Sequence, residues 1–105
     1  MKLNIKNISL DQVMVNTLNI LKPDIDLSKF NVIYDKNILG TRLERMDNIN
    51  EKSLNIPIKI KKGTYIPPHF RDCNNEKYYY RVIDGRHRVV YSIINCFDII
   101  EAQLV

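Results

Sequence analysis

The sequence predicts a small α+β fold, a mixed sheet with helices packed on it. Strand-like and helix-like runs alternate along the chain, as is typical of domains that combine both elements. No repeat, low-complexity linker or change of composition marks an internal boundary, so residues 1–105 are expected to form a single domain. With 45% hydrophobic and 27% charged residues, a chain of this length can bury one modest core.

The first third of the chain predicts two strands with a helix between them. Residues 2–8 alternate imperfectly between polar and apolar side chains and are expected to form a short strand. Leucine, valine and methionine residues then recur at helical spacing, with Ser9 placed to cap that helix and Lys22-Pro23 placed to end it. The run FNVIYD, residues 30–35, is rich in β-branched and aromatic residues and predicts a second strand.

The middle of the chain contains a capping pattern and an alternating strand. Thr41 and Glu44 have the T-x-x-E spacing of a capping box, which predicts a helix from Thr41 to about Asn50. Residues 56–60 alternate isoleucine with other residues, which is the period of a half-buried strand with Ile56, Ile58 and Ile60 inward. Residues 63–77 are rich in turn-forming residues and predict a long loop.

The last third predicts a strand, a helix and a final strand. The strands are expected at Tyr78–Ile83 and Ile99–Val105, and the helix from about Arg86 to Asn95. Four apolar side chains of that helix are expected to face the sheet: Val89, Val90, Ile93 and Ile94. Asn95 is expected to adopt a left-handed conformation at the end of the helix.

The sequence DGRHR, residues 84–88, lies where the strand becomes the helix. The first backbone N–H groups of a helix are unpaired and carry the positive end of its dipole, so this junction suits an anion. Gly85 allows close backbone approach, while Arg86, His87 and Arg88 suit phosphate. The alternative is an ordinary Asp-Gly turn with solvated side chains. Two arginines that oppose the helix dipole favour the anion site.

The segment YRVIDGRHRVVYSIINCFDIIEAQLV, with the upstream IPIKI, resembles the signature region of the ParB/sulfiredoxin superfamily. In that family a strand ending in a G-x-H-R or G-x-x-R turn leads into a helix and a last strand. The resemblance covers residues 56–105 and implies that Gly85, His87 and Arg88 contact nucleotide phosphates, with Arg86 at the variable position. The ligand that it implies is a nucleoside triphosphate, ATP or CTP, with Mg²⁺ as a candidate companion ion.

The same resemblance bears on catalysis. Sulfiredoxins carry their catalytic cysteine where this chain has Arg86, so sulfinic acid reductase activity is not expected. Partition proteins of the family continue into a helix-turn-helix region that would lie beyond Val105, so operator-specific partition activity is not expected either. Kinases with this fold activate a hydroxyl with an acidic residue, which makes Asp84 and Glu44 the candidate catalytic residues. Glu44 is also explained by helix capping.

A second group of residues suits nucleic acid. Basic side chains interleave with tyrosines and phenylalanines, and such a surface binds phosphates and stacks bases. Its basic members are Lys59, Lys61, Lys62, His69, Arg71, Lys77 and Arg81, and the candidate nucleic-acid contacts among them are Lys61, Lys62, Arg71 and Arg81. The alternative is that the tyrosines at 78 and 80 face the core while the lysines form a solvated strand face. His69, Asp72 and Cys73 are too local a set to predict a metal site.

Composition and charge restrict the partners. A net charge of +4 favours anionic partners. No apolar run is long enough for a bilayer and no signal peptide is recognisable, so a soluble, intracellular (cytoplasmic) protein without a membrane partner is expected. Cys73 and Cys96 lack metal-site spacing and are expected to be reduced and dispensable.

Three functions stay open. The first is a module that binds a nucleotide or a nucleic acid phosphate at DGRHR. The second is an enzyme of the same fold, either an NTP-dependent phosphotransferase or hydrolase or a nuclease. The third is a protein-interaction subunit whose turn binds nothing, which would be favoured if the arginines were paired with internal acids.

Overall fold

In the residues that it describes, the computed structural model contains a six-stranded mixed sheet and two α-helices, which confirms the α+β class. The elements are β1 (Lys2–Asn4), β2 (Ile8–Leu10), α1 (Gln12–Leu21), β3 (Asn31–Val32), β4 (Ile58–Tyr65), β5 (Tyr78–Asp84), α2 (Arg86–Ile94) and β6 (Ile99–Leu104). Short 3-10 turns lie at Ile5–Asn7, Leu27–Lys29, Glu51–Asn55 and Pro68–Phe70. The structure describes residues 1–33, 40–44, 46, 49, 51–71 and 76–105.

The order of strands across the sheet is β1-β6-β4-β5-β2-β3. Strands β5, β2 and β3 run parallel to one another, whereas β4 is antiparallel to β5 and parallel to β6. Strand β1 pairs with β6 in the antiparallel sense at one edge. Because β5 and β2 are parallel neighbours and a helix follows each of them directly, α2 and α1 begin at the same edge of the sheet.

One face of the sheet packs against both helices and forms the core. Strands β2, β4, β5 and β6 contribute alternate residues to it, and α1 and α2 contribute one side each. The opposite face carries Ser9, Asn31, Lys61, Tyr79 and Arg81, and neither of the two described helices covers it. We call this side of the sheet the polar face.

The predicted C-terminal elements are confirmed. Strand β5, helix α2 and strand β6 lie within one or two residues of the expected bounds. Ile58 and Ile93 are buried, as expected, together with Val89 and Val90. The left-handed residue after α2 is not Asn95, whose φ is −89°, but Cys96, whose φ is 59°.

The N-terminal predictions need two corrections. The expected single strand is divided into β1 and β2 by a 3-10 turn, in which the Asn4 side chain accepts from the Lys6 amide. The cap of α1 is Asp11, whose carboxylate accepts from the Met14 amide at 3.0 Å. Ser9 lies inside β2, where its hydroxyl accepts from Asn31 Nδ2 at 2.7 Å, so it is not available for capping.

Two other strands differ from the prediction in extent. Strand β4 begins after Pro57 and continues to Tyr65, so the loop expected from residue 63 begins later. Ile56 precedes the strand and is 61% exposed, which makes its predicted inward orientation wrong. Strand β3 covers only Asn31 and Val32 of the predicted run, whose residues 34 and 35 lie outside the described residues.

The helix predicted from Thr41 is wrong at its start. Residues 41–44 are not helical, and Met46 has a 3-10 conformation. Side chains of α1 bind this segment instead: Thr17 Oγ1 accepts from the Leu43 amide at 2.7 Å, and Asn16 Nδ2 donates to the Thr41 carbonyl. These bonds replace the local capping geometry. Residues 45, 47, 48 and 50 of the predicted helix lie outside the described residues.

Candidate functional site

Gly85 joins β5 to α2 in a backbone conformation that glycine adopts readily and other residues rarely do. Its φ is 112° and its ψ is 22°. A Cβ atom added here would lie 2.5 Å from Ile58 Cγ2 and 2.9 Å from Ile58 Cβ. The residue is therefore fixed as glycine both by the turn and by the close approach of β4.

Both predicted phosphate-binding arginines have partners within the chain. Arg86 Nε donates to Asp11 Oδ2 at 2.5 Å, and since Asp11 also caps α1, this bond links the N-termini of the two helices. Arg88 donates to the carbonyl oxygens of Ile56 and Pro57, and its Nη2 lies 3.6 Å from Asp84 Oδ2. The anion that two arginines at a helix N-terminus require is thus supplied internally, by Asp11 and Asp84.

Two further predicted residues make contacts that hold neighbouring segments. His87 Nε2 lies 2.6 Å from the Glu44 carbonyl oxygen. Arg71 donates to the Ile66 carbonyl and to the Tyr65 hydroxyl, with its guanidinium 5.4 Å from the centre of the Tyr65 ring. The structure does not gather His87, Arg88 and Arg71 into one site.

Neither candidate catalytic residue belongs to a cluster of metal-binding side chains among the described residues. The Asp84 side chain is 67% exposed and faces Arg88, while Glu44 is exposed and contributes its carbonyl to His87. Within the described ranges, no three His, Cys, Asp or Glu side chains form a group able to hold a metal ion. Cys96 is a free, exposed thiol 3.5 Å from Lys22 Nζ, and Cys73 lies outside the described residues.

A pocket of about 570 Å³ opens on the polar face beside the DGRHR turn. We call it the basic pocket, because four basic residues and one acidic residue line it. The lining includes Ser9, Asp11, Lys61, Lys62, Arg81 and Arg86. The structure therefore combines three residues of the predicted nucleic-acid surface with one residue of the predicted phosphate turn.

Lys61 and Arg81 are the decisive pair in this pocket. They lie directly opposite each other on antiparallel strands β4 and β5, and both are exposed. Opposed side chains on neighbouring strands have Cβ atoms about 5 Å apart, and like charges in this position destabilise the pair. Neither residue forms an ion pair with any residue that the structure describes. Lys62 is different, because its Nζ lies 5.1 Å from the centre of the Tyr78 ring.

Asp11 is the residue of this site that sequence reasoning missed. Its position directly before the first residue of α1 is a capping position, but Ser9 satisfied the same pattern two residues earlier. Its contact with Arg86 joins residues 75 positions apart, and no local pattern reveals such a contact.

Comparisons of this chain with protein-family models, with curated proteins and with solved structures found no match. In the part of the chain that the structure describes, no helix is long and apolar enough to cross a membrane.

Proposed function

We propose that this domain binds a phosphate-bearing ligand, a nucleotide or a nucleic acid, in the basic pocket. The observation that supports this most directly is the opposition of Lys61 and Arg81 on the polar face without a described counter-ion. A phosphate between them would accept charge-assisted hydrogen bonds from both and remove their repulsion. The pocket also reaches the carboxyl ends of β2 and β5, where Asp11 and Arg86 line it, and open α/β sheets bind ligands near such ends.

This proposal keeps the ligand class that the ParB/sulfiredoxin resemblance implies and changes the contacts. Lys61 and Arg81 bind the phosphate, Arg86 lines the pocket, and His87 and Arg88 hold the turn in place. ATP and CTP are the nucleotides to test. Mg²⁺ would enter with the phosphates, because the described side chains offer no group of three ligands for it.

Binding measured by calorimetry at low salt tests the proposal. The ligands are ATP and CTP, each with and without Mg²⁺, inorganic triphosphate, and a short single-stranded oligonucleotide. Lys61→Gln and Arg81→Gln should each weaken the ligand that binds best by about tenfold, since a hydrogen bond to a charged group contributes about 1.5 kcal/mol or more. The control is Lys2→Gln, which makes the same change of charge on β1 at the far edge of the sheet. Equal effects of all three variants would contradict a specific site.

A second candidate is a protein-interaction subunit whose turn binds no ligand. It is favoured by the internal pairing of Arg86 with Asp11 and of Arg88 with Asp84. In that case neither the wild type nor Lys61→Gln binds any of the phosphate compounds. The phosphotransferase and nuclease alternatives would use the same basic pocket, but no contact of Asp84 or Glu44 favours them over simple binding.

A further inference from the structure

A second cavity lies on the same side of the sheet as the basic pocket. Its volume is about 260 Å³, and its lining residues include the aromatic residues Phe30, Phe70 and Tyr79 together with Asn7, Lys6 and Lys29. We call it the aromatic pocket. The Phe70 ring is 76% exposed, so a stacking surface is available without any rearrangement of the core.

The two cavities lie next to each other along the strands. In β5, Tyr79 lines the aromatic pocket, and Arg81, two residues further on the same face, lines the basic pocket. Asn31 and Ile33 show the same relation at β3. Residues two apart on a strand are separated by about 7 Å, so the two cavities are neighbours on this face, and we call the surface that contains both the groove. Asn31 of the aromatic pocket donates a hydrogen bond to Ser9 of the basic pocket.

Asn7 lines the aromatic pocket and has a side-chain oxygen without a partner among the described residues. The residue is 3% exposed, and its Oδ1 accepts no hydrogen bond from any described residue. An unsatisfied buried carbonyl of this kind is unfavourable. The oxygen is itself enclosed, so a donor on the edge of a nucleobase would reach it only if the Asn7 side chain turned toward the pocket.

Cations lie at both ends of this groove. Lys6 and Lys29 are exposed at the aromatic pocket, and Lys61 and Arg81 are exposed at the basic pocket. A ligand with phosphates on both sides of a base matches this arrangement, and that is a polynucleotide strand. A mononucleotide carries phosphate on one side of its base, and in a duplex the bases are already stacked on one another.

We propose that the ligand is a single strand of nucleic acid, bound along the polar face with one base stacked in the aromatic pocket. This inference rests on the proposed function of the basic pocket and specifies its ligand. Cations that follow the backbone and rings that accept bases are the general means of single-strand binding. Stacking places the base, and the cations at Lys61 and Arg81 hold the neighbouring phosphate.

Fluorescence anisotropy with a labelled single-stranded oligonucleotide tests the inference. Three competitors are compared with it: an abasic strand of the same length, the corresponding duplex, and ATP. Phe70→Ala should weaken binding of the normal strand about fivefold or more, because stacking of one base contributes about 1–3 kcal/mol, and should leave binding of the abasic strand unchanged. Phe97→Ala, at an exposed ring outside the groove, is the matched control and should change neither.

Salt dependence and a second variant separate the two proposals. Lys61→Gln should lower the slope of log K against log salt by about 0.7 for the normal and the abasic strand alike. Phe70→Leu keeps an apolar side chain without the aromatic ring. It should weaken binding of the normal strand as much as Phe70→Ala does. If the abasic strand, the duplex or ATP binds as tightly as the normal strand, base stacking is refuted while the basic pocket stands. If none of the four binds, and CTP and inorganic triphosphate do not bind either, both proposals fail.

Discussion

Two constraints act on Gly85: a left-handed backbone conformation and the close approach of a neighbouring strand. The Asp-Gly pair indicated the turn, because glycine tolerates positive φ without a steric cost. The second constraint comes from Ile58 on β4, which approaches within 2.5 Å of where a Cβ atom would lie. That contact depends on the pairing of two strands and was not predictable from residues 84–88.

Gly85→Ala should lower the free energy of unfolding by about 3 kcal/mol, since the left-handed conformation costs an alanine about 1–2 kcal/mol and the contact with Ile58 adds an overpacking cost. Gly40→Ala is the matched control. Gly40 has a φ of 83° and no atom of a described residue lies within 4 Å of an added Cβ, so only the conformational cost of about 1 kcal/mol is expected. Urea unfolding measures both variants. Equal losses would show that Ile58 moves aside freely.

Tyr80 gives the fold a dependence on alkaline pH. Its ring is 7% exposed and its hydroxyl donates to Glu76 Oε2 at 3.3 Å. Burial and the neighbouring Glu76 carboxylate raise the pKa of Tyr80 above its ordinary value. The folded state therefore holds the phenolic proton more strongly than the unfolded state does.

The sign of this effect follows from proton linkage. The stabilisation that Tyr80 contributes is fully present below the pKa of an unfolded tyrosine, about 10. It is lost as pH rises through the higher pKa of Tyr80 in the folded state. Urea unfolding between pH 8 and 11 should show a steeper loss of stability for the wild type than for Tyr80→Phe. Lysine deprotonation affects both proteins and cancels in the difference. Parallel pH profiles would contradict the raised pKa of Tyr80.

Among the elements, those with a clear local period were predicted and those held by distant side chains were not. Helix α2 and strands β5 and β6 bury one side against the core, so their apolar periods gave their bounds closely. The Thr41–Glu44 segment has an equally clear local pattern, but Thr17 and Asn16 of α1 bind its backbone. A helix cap contributes about 1 kcal/mol to stability, and tertiary hydrogen bonds readily outweigh a contribution of this size.

Thr17→Val should release that segment. Thr17 is 2% exposed, and its Oγ1 donates to the Val13 carbonyl while accepting from the Leu43 amide. Valine keeps the shape and leaves the Leu43 amide without its acceptor, so stability should fall by about 1–2 kcal/mol. Hydrogen exchange at Leu43 should become faster than in the wild type. The exposed Thr64→Val serves as the control, and unchanged exchange at Leu43 in Thr17→Val would refute the contact.

For the whole molecule, the sheet order decides which residues meet. The sequence indicated Lys61, Arg81 and Arg86 as binding residues. It placed Lys61 and Arg81 on a predicted nucleic-acid surface and Arg86 in the separate DGRHR turn. Pairing of β4 with β5 and of β5 with β2 brings them into one pocket. Strand order depends on contacts between distant segments, so the shared pocket and its carboxylate could not be predicted from local patterns.

Asp11 sets a balance between stability and binding in this pocket. It is the one carboxylate among the described lining residues, and it neutralises Arg86 through a bond at 2.5 Å. Asp11→Asn keeps a good helix cap, because asparagine is as effective as aspartate at that position. The ion pair is partly exposed, so its loss should lower stability by only about 1 kcal/mol or less.

The same Asp11→Asn change should strengthen binding of phosphate ligands, because it frees Arg86 and removes the only described negative charge from the pocket. Affinity for the best ligand at low salt should rise about tenfold, the opposite of Lys61→Gln, and its dependence on salt should become steeper. Asp24→Asn, at an exposed acid outside the pocket, provides the control. Tighter binding with lower stability would mean that the Arg86–Asp11 pair competes with the ligand. Weaker binding would instead mean that Asp11 orients Arg86 for the ligand, and the competition argued here would be wrong.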